Sequence, residues 1–263
     1  EKPDALIIGE VWEDASNKIA YSERRRYFGG GELDSVMNYP LRDAIFAYLN
    51  GGTAEHFAET METLRENYPR DVFYNLMNII GTHDTARALT VLGVTSEDWK
   101  RSRDEWAHYE LPPDRLETAK RRLRLAAVIQ FTMPGSPTIY YGDEAGRQGF
   151  EDPFNRRTYP WGHEDTALLD WFRTLGRLRA ERESLQSGDI AYPLAAGRVL
   201  CFARRADDEV SLCAVNAGAE SASVDLPWAA PLAHDALSGQ SFLAEGGRLH
   251  IPLAPYDTLL LTE

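Results

Sequence analysis

The chain has 263 residues, 43% hydrophobic and 26% charged, with six Trp, twelve Tyr and ten Phe: enough apolar material for a sizeable core, which excludes a disordered chain. A net charge of −13 disfavours a surface that tracks nucleic-acid phosphates and suits a neutral polar ligand better. No apolar run approaches the roughly 20 residues needed to cross a bilayer, and Glu1-Lys2-Pro3-Asp4 leads straight into a short apolar run without a signal peptide, so a cytoplasmic protein is expected.

Ala5-Leu6-Ile7-Ile8-Gly9 is a continuous apolar run of the kind found in a strand buried on both faces. Leu33-Asp34-Ser35-Val36-Met37-Asn38-Tyr39 reads as a second strand stopped by Pro40, and residues 40–50 as a helix ended by Gly51-Gly52. Residues 53–67 have helical spacing, with Phe57, Met61 and Leu64 on one face. The apolar run at 72–80 reads as a third strand. Pro112-Pro113 opens a long helix to about Phe131 with a solvated basic face at Lys120, Arg121, Arg122 and Arg124. Met133-Pro134-Gly135-Ser136-Pro137 breaks it before a fourth strand, Thr138-Ile139-Tyr140-Tyr141, and a further helix is expected over 166–183. Strands alternating with helices predict an α/β fold, a parallel sheet with helices packed outside.

The texture changes near Gln186-Ser187-Gly188. Short runs at 198–203, 210–215, 221–226 and 258–261, separated by Gly, Asp, Asn and Pro, predict a small antiparallel β-domain built as a sandwich. Two domains are therefore expected, residues 1–186 and 187–263. Cys201 and Cys213 flank a hairpin with its turn near Asp207-Asp208. They either face each other across the strands or lie as two buried free thiols, and the second reading is favoured.

Polar clusters follow the apolar runs: Glu10-Val11-Trp12-Glu13 after the first, Gly81-Thr82-His83-Asp84 after the third and Gly142-Asp143-Glu144 after the fourth. In a parallel barrel the site lies at the carboxyl ends of the strands, so acids there point to acid/base work, and interleaved aromatics point to a carbohydrate. Glu10, half-buried beside the Trp12 indole, would be poised as a general acid; the alternative is a strand-end Glu bonded to a local backbone amide. Asp84 is either a site carboxylate or the N-cap of a helix over 85–92. Asp152 and Arg156, in a loop at the mouth, either bond sugar hydroxyls or form an ion pair that holds the loop. Gly29-Gly30-Gly31 lacks the strand-to-helix setting of a phosphate loop, and the six His show no metal-ligand spacing.

Taken together these segments resemble the α-amylase superfamily of glycoside hydrolases, and within it the neopullulanase, cyclomaltodextrinase and maltogenic-amylase branch. Gly9-Glu10-Val11-Trp12 looks like the family's fifth-strand motif, residues 33–39 like the sixth strand, Gly81-Thr82-His83-Asp84 like the seventh and residues 135–144 like the eighth. The resemblance implies the C-terminal half of a (β/α)8 barrel followed by a β-sandwich. It implies Glu10 as acid/base, Asp84 as stabiliser of the transition state, His83 as a substrate-binding residue, Trp12 and Glu13 on the acceptor side, and Asp152 with Arg156 on the non-reducing side.

The family's nucleophilic Asp belongs to a fourth-strand motif that does not occur in these residues. A fragment lacking that nucleophile, and inactive alone, is therefore expected. The intact enzyme would be a retaining hydrolase of α-1,4 or α-1,6 bonds in maltooligosaccharides, cyclodextrins or pullulan. No redox cofactor is implied; calcium is left to the intact enzyme, since the family's calcium sites are built partly from preceding segments. The expected partners are the α-glucan and either the N-terminal half of the barrel or a second copy joined through exposed sheet edges, with no nucleic acid or membrane. The rival class is a non-catalytic glucan-binding or interaction module. Another parallel-barrel enzyme would need a phosphate loop near the last strand, where the acidic Gly142-Asp143-Glu144 argues against one.

Overall fold

The computed structural model describes residues 2, 5–20, 22–29 and 32–263, and the first three strands expected in the first two-thirds of the chain are present in shortened form. β1 (Ile8–Gly9) ends the first apolar run, and a small hairpin of β2 (Ile19–Ala20) and β3 (Glu23–Arg24) separates it from β4 (Ser35–Val36). β1 and β4 run parallel, Ile8 opposite Ser35 and Gly9 opposite Val36. α1 (Tyr39–Leu49) starts one residue before Pro40. Asn38 caps it by accepting the Leu41 N–H at 3.1 Å, and Pro40 sits in the first turn, where its missing N–H has no intrahelical partner to lose. α2 (Ala54–Asn67) is capped by Thr53 and buries Phe57, Met61 and Leu64, the face its spacing predicts.

The third apolar run is divided between two elements: residues 72–74 lie in α3 (Arg70–Tyr74), and only β5 (Met77–Asn78) is strand. Val72 and Phe73 are buried from a helix as completely as they would be from a strand, which is why an apolar run of this length misleads. α4 (Ala88–Gly93), α5 (Arg103–His108) and α6 (Pro113–Thr132) follow, and α6 is buried on every side from Leu125 to Thr132, making it the central helix. Gly135 then turns the chain into β6 (Ser136–Pro137) with φ +112°. A Cβ there would lie 2.6 Å from the Leu76 carbonyl oxygen, so the turn excludes any side chain.

β6 runs parallel to β5, and a bridge from Met37 to Met77 joins the two pairs in the order β1-β4-β5-β6. The fourth strand thus lies ahead of the expected 138–141. Tyr140 and Tyr141 leave the sheet because both rings lie on the Arg87 guanidinium, with centroids 4.1 and 4.7 Å from it. α7 (Thr166–Glu181) and α8 (Glu183–Gln186) complete the helices. Among the described residues no helix is long and apolar enough to cross a membrane.

β7 (Asp189–Ala196), β8 (Val199–Ala206), β9 (Glu209–Asn216), β10 (Ala222–Pro227), β11 (Leu232–Asp235), β12 (Ser241–Glu245), β13 (Arg248–Leu253) and β14 (Asp257–Thr262) form one antiparallel sheet in the order β10-β13-β12-β11-β14-β9-β8-β7. The two separate sheets of a sandwich are replaced by one continuous sheet that turns a corner at β12. There Phe242 and Leu243 pair with β11, while Ala244 and Glu245 pair with β13. The corner closes Leu249, Ile251 and Leu253 of β13 with Leu212 and Ala214 of β9 into one buried cluster. The other face of β8, β9 and β14 presents Leu200, Phe202, Val215 and Leu260 to the core that holds α1 and α6. Cys201 and Cys213 are buried and free; Cys201 stands opposite Ala214 and Phe202 opposite Cys213, so the two thiols point to opposite faces.

Candidate active site

β1, β4, β5 and β6 point the same way, so the loops after them gather on one side of the sheet. Glu10 follows β1 directly and is exposed. Its Oε1 accepts hydrogen bonds from Trp12 Nε1 at 3.2 Å and from the Tyr39 hydroxyl at 3.3 Å. The two donor rings stack on each other, centroids 4.3 Å apart and 13° from parallel, and so act as one rigid holder. The half-burial expected beside the indole is not found: Trp12 is itself 48% exposed and meets the carboxyl through its N–H instead of covering it. The partners of Glu10 here are side chains, not a local backbone amide.

The Tyr39 hydroxyl also lies 3.5 Å from Thr82 Oγ1, which accepts the Asp84 N–H at 3.2 Å. A line of contacts therefore runs from Glu10 to Asp84. Burial raises the Tyr39 pKa; the Thr82 bond opposes this, and the Glu10 and Asp84 carboxylates add to it. Asp84 does not cap a helix, because α4 begins only at Ala88 and has no side-chain cap. Its carboxylate pairs with Arg156 Nη2 at 3.2 Å and lies 3.3 Å from His83 Nε2. Arg156 also pairs with Asp152 at 2.9 Å and donates to the His83 carbonyl at 3.0 Å. The loop-holding ion pair is thus present, and it also reaches the Asp84 carboxylate. Glu13 departs from the group and pairs with Lys18.

Beneath these residues Arg87 and Asp143 are fully buried, with Nη1 3.3 Å from Oδ1. Arg87 Nε donates to the Asn155 carbonyl at 2.6 Å and Nη1 to that of Tyr141 at 2.5 Å, while Asn155 Nδ2 donates to the carbonyls of His83 and Thr85, each at 2.7 Å. The His83-Asp84 turn is therefore held from below. A Cβ on Gly81 would lie 2.1 Å from Asp143 Oδ2, so that position has room for glycine alone. Burial pushes Asp143 up to about 7, against the pull of the Arg87 guanidinium.

The structure brings together Glu10, Trp12, His83, Asp84, Asp152 and Arg156, and adds Tyr39, Arg87 and Asn155. Tyr39 is hidden from sequence reading inside an expected strand, and Arg87 inside an expected helix. Gly142-Asp143-Glu144 is the one visible sign of the buried floor. Among the described residues no group of three or more His, Cys, Asp or Glu is placed to hold a metal ion.

Residues 1–191 match the family model of the α-amylase catalytic domain, and residues 194–260 match that of the maltogenic amylase C-terminal domain. The chain belongs to the α-amylase family. It falls in the branch that holds cyclomaltodextrinases, neopullulanases and maltogenic amylases. This α-amylase family chain is 34% identical to an amylopullulanase of Thermoanaerobacter thermohydrosulfuricus, over 99% of its own length and 18% of that protein. It is 31% identical to a cyclomaltodextrinase of Geobacillus thermopakistaniensis (strain MAS1), over 98% of its length and 40% of the relative. A solved cyclomaltodextrinase structure superposes with a TM-score of 0.79 at 26% identity, covering 99% of this chain and 41% of that one. The chain thus spans less than half the length of these relatives.

Proposed function

We propose that this chain supplies the acid/base and the transition-state-stabilising carboxylate of a retaining α-glucan hydrolase. The observation that carries this reading is the line from Glu10 through Tyr39 and Thr82 to Asp84 at the carboxyl ends of parallel strands. In such an enzyme two carboxyls roughly 5 Å apart flank the glycosidic bond, one as nucleophile and one as acid/base. Glu10, held by Trp12 and Tyr39, protonates the leaving oxygen and then takes a proton from water or from an acceptor hydroxyl. Asp84 accepts hydrogen bonds from hydroxyls of the ring that develops oxocarbenium character. The Arg156 pair orients that carboxylate until sugar hydroxyls share it, and His83 offers a ring nitrogen beside it.

The nucleophile belongs, in this reading, to a barrel segment outside these residues. Residues 1–186 form the half-barrel of strands five to eight and residues 187–263 the C-terminal β-domain, a division supported by the single parallel strand order and the change to antiparallel pairing at β7. The chemistry is carried by carboxyls and calls for no redox cofactor.

The test uses Glu10→Gln in an enzyme that joins this chain to its preceding barrel segment. The amide keeps the shape and removes the transferable proton, so kcat on maltotriose should fall by about 10²–10⁴-fold. Loss should be much smaller on an aryl glycoside whose leaving group needs no protonation. Equal losses on both substrates would remove Glu10 from the acid role. The 263-residue chain alone should not turn over maltotriose or cyclodextrin; turnover by a mass-verified sample would overturn the external nucleophile. Binding of α-glucan without turnover in the joined enzyme would instead favour a glucan-binding module.

A further inference from the structure

Residues 94–112 connect α4 to α6 and contribute no strand, yet they are firmly built. Asp98, 2% exposed, anchors them: Oδ2 accepts the Thr95 N–H and hydroxyl, each at 2.9 Å, and Arg115 Nη1 at 2.5 Å, while Oδ1 accepts Arg101 Nε at 3.2 Å. Ser102 and Glu105 close a capping box at the start of α5. Trp99 is set between these anchors. Its ring meets Phe150 edge-on at 5.0 Å and 87°, and Trp106 at 6.1 Å and 84°. Phe150 and Trp106 are themselves stacked at 4.8 Å.

Trp99 nevertheless remains 37% exposed. Its exposed part lines a cleft of about 370 Å³ with Trp12, Arg42, Asp43, Asp84 and Glu151. That volume falls at the small end of the ~300–1,000 Å³ typical of ligand pockets, and the lining has their usual mixture of aromatic faces and a few polar groups. Leaving an indole in water forgoes the gain of burial, and ordering a loop to hold it there costs further entropy. A ligand face that covers the indole accounts for both. A pyranose ring fits that description: its C–H face packs on an aromatic ring while its hydroxyls bond carboxylates and a guanidinium, here those of Asp43, Glu151 and Arg42.

We infer that Trp99 is a specificity-determining residue, which packs on a glucose unit further along the glucan than the two that flank the bond cleaved and so sets the length of α-glucan the site favours. This rests on the hydrolase reading, because the cleft is shared with Asp84. The test compares wild type, Trp99→Ala and Trp99→Tyr in the enzyme that joins this chain to its preceding barrel segment, on maltotriose and maltoheptaose. Trp99→Ala should raise KM for maltoheptaose about tenfold, the equivalent of ~1.4 kcal/mol, with kcat within about twofold and a smaller effect on maltotriose. Trp99→Tyr should recover most of the loss, since it restores an aromatic face. An unchanged ratio of the two KM values in Trp99→Ala would overturn the inference, as would a fall in kcat common to both substrates and to both variants. A wild-type enzyme that turns over neither glucan would remove the hydrolase reading itself, and the inference with it.

Discussion

Two neighbouring rings hold Glu10, one from two residues along its own loop and one from the first position of α1. Trp12 is visible in the sequence because it lies only two residues after Glu10. Tyr39 is not, because its closeness to position 10 arises from the register that sets Gly9 opposite Val36, and register is not written in an apolar run. Arg87 is still harder to foresee, since an arginine is expected at the surface. It is buried because the carbonyls of Tyr141 and Asn155, the Asp143 carboxylate and two tyrosine rings surround it. Asp143 opposite it gives a pH signature. Burial, opposed by Arg87, raises it from 3.8 to about 7, so the folded chain binds that proton more tightly than the unfolded one. Its contribution to stability is therefore complete below about pH 4 and lost as pH rises through about 7. Asp143→Asn removes the titration. The Tm of wild type minus that of the variant should fall between pH 4 and pH 7 in a series of thermal melts; a difference constant across that range would assign the titration to another group.

The helices show how far periodicity carries at the level of the element. α2, α6 and α7 lie within a few residues of their expected spans because each has a cap or a proline at its start and an apolar stripe facing the core. The parallel strands were legible in order but not in extent, since only pairing decides where a strand ends, and α3 shows an apolar run adopting the other period. The joint between the helical region and the antiparallel sheet is not legible at all. Arg198, just ahead of β8, reaches the carbonyls of Tyr48, Leu49 and Gly52 at the end of α1 and that of Ala217, and the Tyr48 hydroxyl donates back to the Arg198 carbonyl at 2.8 Å. Carbonyls at a helix end lack intrahelical partners, so one fork satisfies several at once. Arg198→Lys keeps the charge and loses the fork, and should lower stability by about 2 kcal/mol. Urea unfolding would record this as a lower midpoint at unchanged m. A midpoint within experimental error of wild type would show that solvent replaces the guanidinium.

For the molecule as a whole, the informative asymmetry is between its two sheets. The antiparallel sheet turns a corner and closes over its own apolar cluster. The parallel sheet ends openly: among the described residues β1 pairs with β4 on one side and β6 with β5 on one side. Leu6 and Ile7 beside β1 are 69% and 50% exposed, and Ile139 and Tyr141 beyond β6 are 41% and 40% exposed. Exposed apolar residues along an unpaired sheet edge invite pairing with another strand. The chain on its own should therefore self-associate. Light scattering is expected to give a mass above 29.6 kDa, and a monomer that unfolds cooperatively would show the edges to be satisfied as they stand. The strand order was legible because helices alternate with strands; the corner at β12 was not, because sharing one strand between two layers leaves no mark in a five-residue sequence. The register of β8 against β9 has a chemical consequence of its own. Cys201 and Cys213 leave opposite faces of the sheet, one into each apolar cluster. Burial pushes both thiols up to about 12, so both stay protonated at neutral pH. Neither thiol has the other in line for a bond, so the sheet is held by its hydrogen-bonded ladder and its packing, without a covalent cross-link.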